Sequence, residues 1–186
     1  MNKTYQTEFR RLFLINALPE PLTRADRHLQ IFDNYIENTR LRMRRVRVPH
    51  TREQTWMLEH RFPADENNLA VWKLAEVFLR EDEYRIFEQF EGREIRKNRY
   101  FYELDDKRIS IDVFLGGLWG LNIARVSFET EQEMEHFEAP PFAVFEVTND
   151  KFFSGENLVG KDFNDVRAEF ERISAQHQVI LEVRDE

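Results

Sequence analysis

The chain has 186 residues, a formal net charge of −8 and no cysteine. Without thiols there is no disulfide framework, thiolate metal site or cysteine nucleophile, and the acidic balance argues against general coating of nucleic acid, which needs a broad basic face. Apolar residues make up 41% of the chain and Phe alone supplies 17, yet no run approaches the roughly 20 apolar residues of a membrane span; one cytoplasmic domain over 1–186 is the expectation, with no membrane partner.

Residues 5–15 alternate as a strand, Tyr5, Phe9 and Phe13 on one side and Glu8, Arg10 and Leu12 on the other. Leu18-Pro-Glu-Pro21 breaks it. Thr23–His28 is expected as a short helix capped by Thr23, Leu29–Phe32 as strand and Asp33-Asn34 as a turn. Glu37–Val48 then reads as a strand with Arg40, Arg42 and Arg44 on one face and Leu41 and Met43 on the other. Gln54–Phe62 and Val71–Leu79 follow as strands around a loop at 64–68, with Leu74, Glu76 and Phe78 sharing a face.

Tyr84, Phe87 and Phe90 recur at helical spacing across Arg80–Glu91, and Gly92 is a stop signal. Arg93–Leu104 shows Ile95, Lys97, Arg99 and Phe101 on one side, and Ile109–Leu115 sets Ser110, Asp112 and Phe114 against Ile109, Ile111 and Val113. A turn at Gly116–Gly120, with Trp119 as a packing or lid residue, leads to Leu121–Glu129, where Ile123, Arg125, Ser127 and Glu129 share a face. Thr130-Glu-Gln-Glu133 is a capping box opening a helix through Phe137. Phe142–Thr148 reads as a strand with Glu146 and Thr148 together; Phe163, Val166, Phe170 and Ile173 mark a last helix, and Val179–Val183 a final strand.

Eight or nine strands joined largely by tight turns make an α+β chain with antiparallel pairing. Several strand faces are charged, and stacked arginines repel one another unless water and salt, cross-strand carboxylates or a phosphorylated ligand lies against them. An open sheet wet on its charged side accommodates this pattern; so does a closed barrel with a charged lumen and helices outside.

Several segments, in order, resemble the CYTH superfamily of triphosphate tunnel metalloenzymes, which includes class IV adenylyl cyclases, thiamine triphosphatases and inorganic triphosphatases. Glu8-Phe-Arg10-Arg-Leu12-Phe-Leu14 resembles its opening Glu-x-Glu-x-Lys strand, and Gln30-Ile-Phe-Asp33 with Arg40-Leu-Arg42-Met-Arg44 its aromatic-Asp and Leu-Arg-x-Arg strands. Ile95-Arg-Lys97-Asn-Arg99-Tyr100 resembles Ile-x-Lys-x-Arg-Tyr; Ile111-Asp-Val-Phe114 with Gly117-Leu-Trp-Gly-Leu121, and then Phe145-Glu-Val-Thr148, resemble its late strands. The resemblance implies an antiparallel eight-stranded β-barrel, a tunnel with a charged lumen and short covering helices. It implies phosphate-binding positions at Arg40, Arg42, Arg44, Lys97 and Arg99, with Arg10 and Arg125 added by this chain, and a divalent cation on paired glutamates.

The pairs are broken here. Arg10 replaces the second glutamate, Leu12 the lysine, Glu76-Val-Phe78 keeps one carboxylate, the late pair reads Arg125-Val-Ser127, and a later lysine position carries His60 or Arg61. A rearranged metal site would draw on Glu8, Glu76, Asp112, Glu129 and Glu146, with magnesium or manganese as cofactor if the protein is active and none otherwise. The expectation is a basic tunnel that binds a small phosphorylated polyanion (nucleotide, tripolyphosphate or phosphorylated signalling molecule) with a degenerate catalytic site. The alternatives are a metal-dependent triphosphatase or adenylyl-cyclase-type enzyme, and a non-catalytic interaction module. Strands at the tunnel rim leave a homodimer open, and RNA is disfavoured by the charge.

Overall fold

A computed structural model describes residues 5–90 and 92–184. Its strands are β1 (Gln6–Leu14), β2 (Leu29–Tyr35), β3 (Leu41–Arg47), β4 (Gln54–Asp65), β5 (Asn68–Leu79), β6 (Arg93–Leu104), β7 (Lys107–Phe114), β8 (Asn122–Phe128) and β9 (Phe145–Glu146). Its helices are α1 (Glu81–Phe87), α2 (Glu131–His136), α3 (Gly155–Leu158) and α4 (Phe163–Arg184). The strands pair in the order β5-β4-β3-β2-β6-β7-β8-β1, all antiparallel, and β1 returns to β5. The sheet is thus a closed eight-stranded barrel with helices outside, the second of the two architectures open to the sequence. β1 makes the closure by dividing one edge: Gln6 to Phe9 pair with β5, while Phe13 and Leu14 pair with β9.

Register is what fills the lumen. Asp33 lies opposite Arg44, Arg42 opposite Glu59, and Arg99 opposite Asp112, so neighbouring strands present opposite charges at one level. A slip of one residue would turn each set to the outside.

Apolar residues form two clusters. Inside one end of the barrel, Leu12, Leu14, Ile95, Phe114 and Ile123 pack with Phe153, Leu158 of α3, and Val166 and Ile173 of α4, closing that end. Outside, Phe13, Tyr100, Ile109, Ile111, Ala124, Val126 and Phe128 lie beneath Met134 of α2 and the Phe137–Phe142 segment. The barrel is therefore apolar at its floor and charged above it.

The structure corrects several local expectations. Thr23–His28 is a turn rather than a helix: the Thr23 amide and hydroxyl donate to the Asp26 carboxylate at 2.6 and 2.8 Å. Asp33-Asn34 sits inside β2 because a tertiary partner, Arg44, holds the Asp33 carboxylate at 2.6 Å; the chain reverses later, where Asn38 adopts φ 57°. The loop expected at 64–68 shrinks to a hairpin in which Asp65 faces Asn68. α1 ends at Phe87, and β9 has two residues. Val179–Val183 belongs to α4 rather than to a strand.

Candidate anion-binding lumen

Alternation on eight strands brings cationic and anionic side chains from all of them to one interior. On the wall formed by β2, β3, β6 and β7, with Glu59 reaching in from β4, the charges interlock. Asp33 receives Arg44 Nε and Nη2 at 2.6 and 2.9 Å and lies 3.6 Å from Arg42 and 3.7 Å from Lys97. Glu59 pairs with Arg42 and, at 3.1 Å, with Arg44. Asp112 accepts both arms of the Arg99 fork at 2.6 and 2.7 Å and Lys97 Nζ at 2.9 Å. Asp33 and Glu59 are each 1% exposed, so the pairing is desolvated. Burial alone would raise the Asp33 and Asp112 carboxyls; Arg42, Arg44 and Lys97 around Asp33, and Arg99 and Lys97 around Asp112, instead hold both well below the usual carboxylate range.

The wall formed by β1, β4, β5 and β8 differs. Glu8 pairs with Arg61 at 3.1 Å and with Arg125. Arg10 is 7% exposed and, among the described residues, forms no ion pair with a carboxylate; its Nε has no hydrogen-bond partner. Its guanidinium carbon lies 4.4 Å from the Trp72 ring centre, and that of Arg61 4.6 Å from the same ring. Burial, then the charges of Arg61 and Arg42, push the Arg10 guanidinium well below its ordinary value. Burial and Arg42 bring Arg61 to about 10. Arginine is not deprotonated in proteins, so both carry charge. Among the described residues, Arg10, Arg42, Arg44, Arg61, Lys97, Arg99 and Arg125 face Glu8, Asp33, Glu59 and Asp112 across the interior, with Glu156 of α3 at its border, so cations outnumber carboxylates by two.

Arg10, Arg42, Arg44, Arg61, Lys97 and Arg125 line a cavity of ≈ 60 Å³ together with Asp33 and Asp112, and Phe153, Gly155 and Leu158 floor it. Two larger cavities of ≈ 360 and ≈ 310 Å³ flank it, and Arg61 and Glu156 border all three. Gly155 is required at the floor: any Cβ there would overlap the Tyr35 hydroxyl, which accepts from Arg42 Nη1 at 3.0 Å.

Of the phosphate-binding positions expected from sequence, Arg42, Arg44, Lys97, Arg99, Arg10 and Arg125 meet in this interior. Arg40 does not; it is exposed, borders both flanking cavities and stacks on Phe62 at 4.9 Å. The expected metal ligands are dispersed. Glu8 is inside but engaged by two arginines, and Glu76 is exposed on β5 opposite Glu59. The Glu129 amide donates to Glu133 beside α2, and Glu146 lies on β9 with Arg11 at 2.5 Å. A divalent ion needs several carboxylate oxygens converging on one point. Among the described residues no three His, Cys, Asp or Glu side chains do so, and all four lumen carboxylates are held by cations. The donor set present does not fit a divalent cation.

Sequence reasoning missed Glu59, Tyr35, Trp72 and Glu156. For Glu59 the signal existed: period two across Gln54–Phe62 aligns Met57, Glu59 and Arg61. The same register resolves His60 from Arg61, since His60 meets Tyr5 at 3.0 Å and Arg61 enters the lumen. Asp33 and Asp112 prove to be the principal counter-charges of the arginine face rather than turn or sheet residues.

No protein-family model matches the chain. An inorganic triphosphatase of Nitrosomonas europaea is 38% identical over 69 residues, 37% of this chain and 46% of that protein, so the match spans less than half of the relative's length. Two crystal structures of NE1496 share the fold. One, described as a hypothetical protein, has a TM-score of 0.55 at 22% identity, covering 83% of this chain and 99% of that one. The other, described as an inorganic triphosphatase, has a TM-score of 0.53 at 24% identity, covering 82% and 93%. The chain thus shares the tunnel fold of these structures and a local stretch of sequence with the triphosphatase.

Proposed function

We propose that the lumen binds a small polyanionic phosphate compound: a nucleotide, tripolyphosphate or a phosphorylated signalling molecule. The observation that carries this reading is the surplus of cations on lumen-facing strands, with Arg10, Arg42 and Arg61 buried among them. Burying a guanidinium without a counter-charge costs free energy, and an anion of matching geometry recovers it. Arginine forks suit phosphate oxygens, and a relative with local identity is named an inorganic triphosphatase. The ≈ 60 Å³ cavity is small beside the roughly 300–1,000 Å³ of ordinary ligand pockets. A ligand longer than one phosphoryl group therefore draws Arg42 or Arg44 away from Asp33 and Glu59, exchanging internal carboxylates for phosphate oxygens.

The test is thermal stability of the purified protein with tripolyphosphate, ATP and a nucleotide panel. Ligand at one hundred times its dissociation constant adds about 2.7 kcal/mol, and a shift with at least one of these compounds is expected. No shift with any of them would refute the reading and leave a tunnel neutralised by its own carboxylates, with protein interaction as its role. Phosphate or cyclic-nucleotide release with magnesium or manganese would make the protein an enzyme.

A further inference from the structure

Arg10 stands out because, among the described residues, it forms no ion pair; Glu156, exposed at the border of the cavity, is the carboxylate that acts on it from a distance. It is as buried as the core around it, its Nε is unpartnered, and its neighbours Arg61 and Arg42 are themselves cations with unpartnered Nε atoms. It projects into the central cavity two residues along β1 from Glu8, the lumen's remaining carboxylate on that strand. Folding places a positive charge without a direct ion pair in a cavity that, among the described residues, lacks a carboxylate cluster for a metal ion.

Resting on the proposed function, we infer that the Arg10 guanidinium supplies the central positive charge that a divalent cation would otherwise bring, and that the ligand taken is the metal-free polyanion. Two physical consequences separate this from binding of a metal complex. Magnesium bound to a polyphosphate neutralises two of its charges and keeps several waters. The first effect weakens attraction to Arg10, Arg42 and Arg61. The second adds a hydration shell to a ligand that already has to open the ≈ 60 Å³ cavity to enter. Magnesium should therefore compete with the protein for the ligand rather than assist it.

The experiment is calorimetric titration of the full chain with tripolyphosphate, in EDTA and in excess magnesium. Binding is expected in EDTA and weaker by about tenfold or more in magnesium, since loss of one unit-charge contact at an effective dielectric near 20 exceeds what tenfold represents. Arg10→Met should weaken binding in EDTA by roughly 30-fold or more, the low end for truncating a buried charge contact. It should leave the melting temperature of the ligand-free protein unchanged or raised, which a merely structural arginine would not do. Arg10→Glu, which restores a carboxylate two residues from Glu8, should lose binding in EDTA and regain it with manganese, whose uptake is read directly by its paramagnetic resonance.

Binding by the parent protein that appears only with magnesium would overturn the inference while sustaining the proposed function. So would an Arg10→Met or Arg10→Glu protein that binds in EDTA as tightly as the parent. Absence of tripolyphosphate binding in both conditions would overturn this inference. Loss of every compound in the thermal panel as well would remove the proposed function.

Discussion

The two walls of the lumen use the same residue types to different ends. On β2, β3, β6 and β7, Arg42, Arg44, Lys97 and Arg99 are met by Asp33, Asp112 and the incoming Glu59, and Asp33 alone lies within 4 Å of three cations. On β1, β4, β5 and β8, Arg61 and Arg125 share Glu8 while Arg10 forms no ion pair among the described residues, and Trp72 takes up the faces of the Arg10 and Arg61 guanidiniums. The first wall is a closed ion-pair mesh whose parts hold one another in place. The second carries excess charge at a cost in stability, and such strain is characteristic of a surface that awaits a ligand.

Mutations should separate the walls. Asp33→Ala removes the carboxylate shared by Arg42, Arg44 and Lys97 and leaves them only Glu59 and Asp112, and removal of one partner from a buried network costs about 3–5 kcal/mol; denaturant titration reads it. On the opposite wall Arg61→Met leaves Glu8 its pair with Arg125 and removes a repulsive neighbour of Arg10, so its cost should stay below about 1 kcal/mol while tripolyphosphate affinity falls. Equal destabilisation by the two would break the distinction.

Acid should attack the mesh. The Asp33 and Asp112 carboxyls lie below their unfolded values, so their contribution to stability is complete above about pH 4 and is lost as pH falls toward their folded values. A stability profile that declines below about pH 4, and declines less steeply in Asp112→Asn, is expected.

At the floor, Gly155→Ala forces the added methyl against the Tyr35 hydroxyl and should cost about 1–3 kcal/mol, with loss of the Arg42–Tyr35 hydrogen bond. The smallest effect belongs to the solvated surface. Glu81→Gln breaks an exposed i,i+4 pair with Arg85 and should change stability by under about 0.5 kcal/mol.

Much of the barrel was legible because its signal is local. Side chains two residues apart share a face whatever the strand pairs with, so Arg42 with Arg44, Lys97 with Arg99, and Glu8 with Arg10 could be grouped before any partner was known. The short elements were less legible. Thr23–His28 has helix-compatible chemistry, but its hydrogen bonds close a turn, and Asp33-Asn34 has turn chemistry inside a strand, because an ion pair across the sheet outweighs a local preference. Glu59 went unnoticed because a single carboxylate in an apolar strand has meaning only beside Arg42 and Arg44, which arrive from another strand.

The residues themselves determined the alternation, the charged faces, the absence of thiol chemistry and the order of motifs that resembles a tunnel family. Tertiary structure decided that the sheet closes through β1 onto β5, that one end is floored by α3 and α4, and which carboxylate meets which cation. The reason is range. A strand's faces follow from its own backbone geometry, whereas neutralisation is a sum over charges from eight strands, and only their relative placement shows that Arg10 is left over.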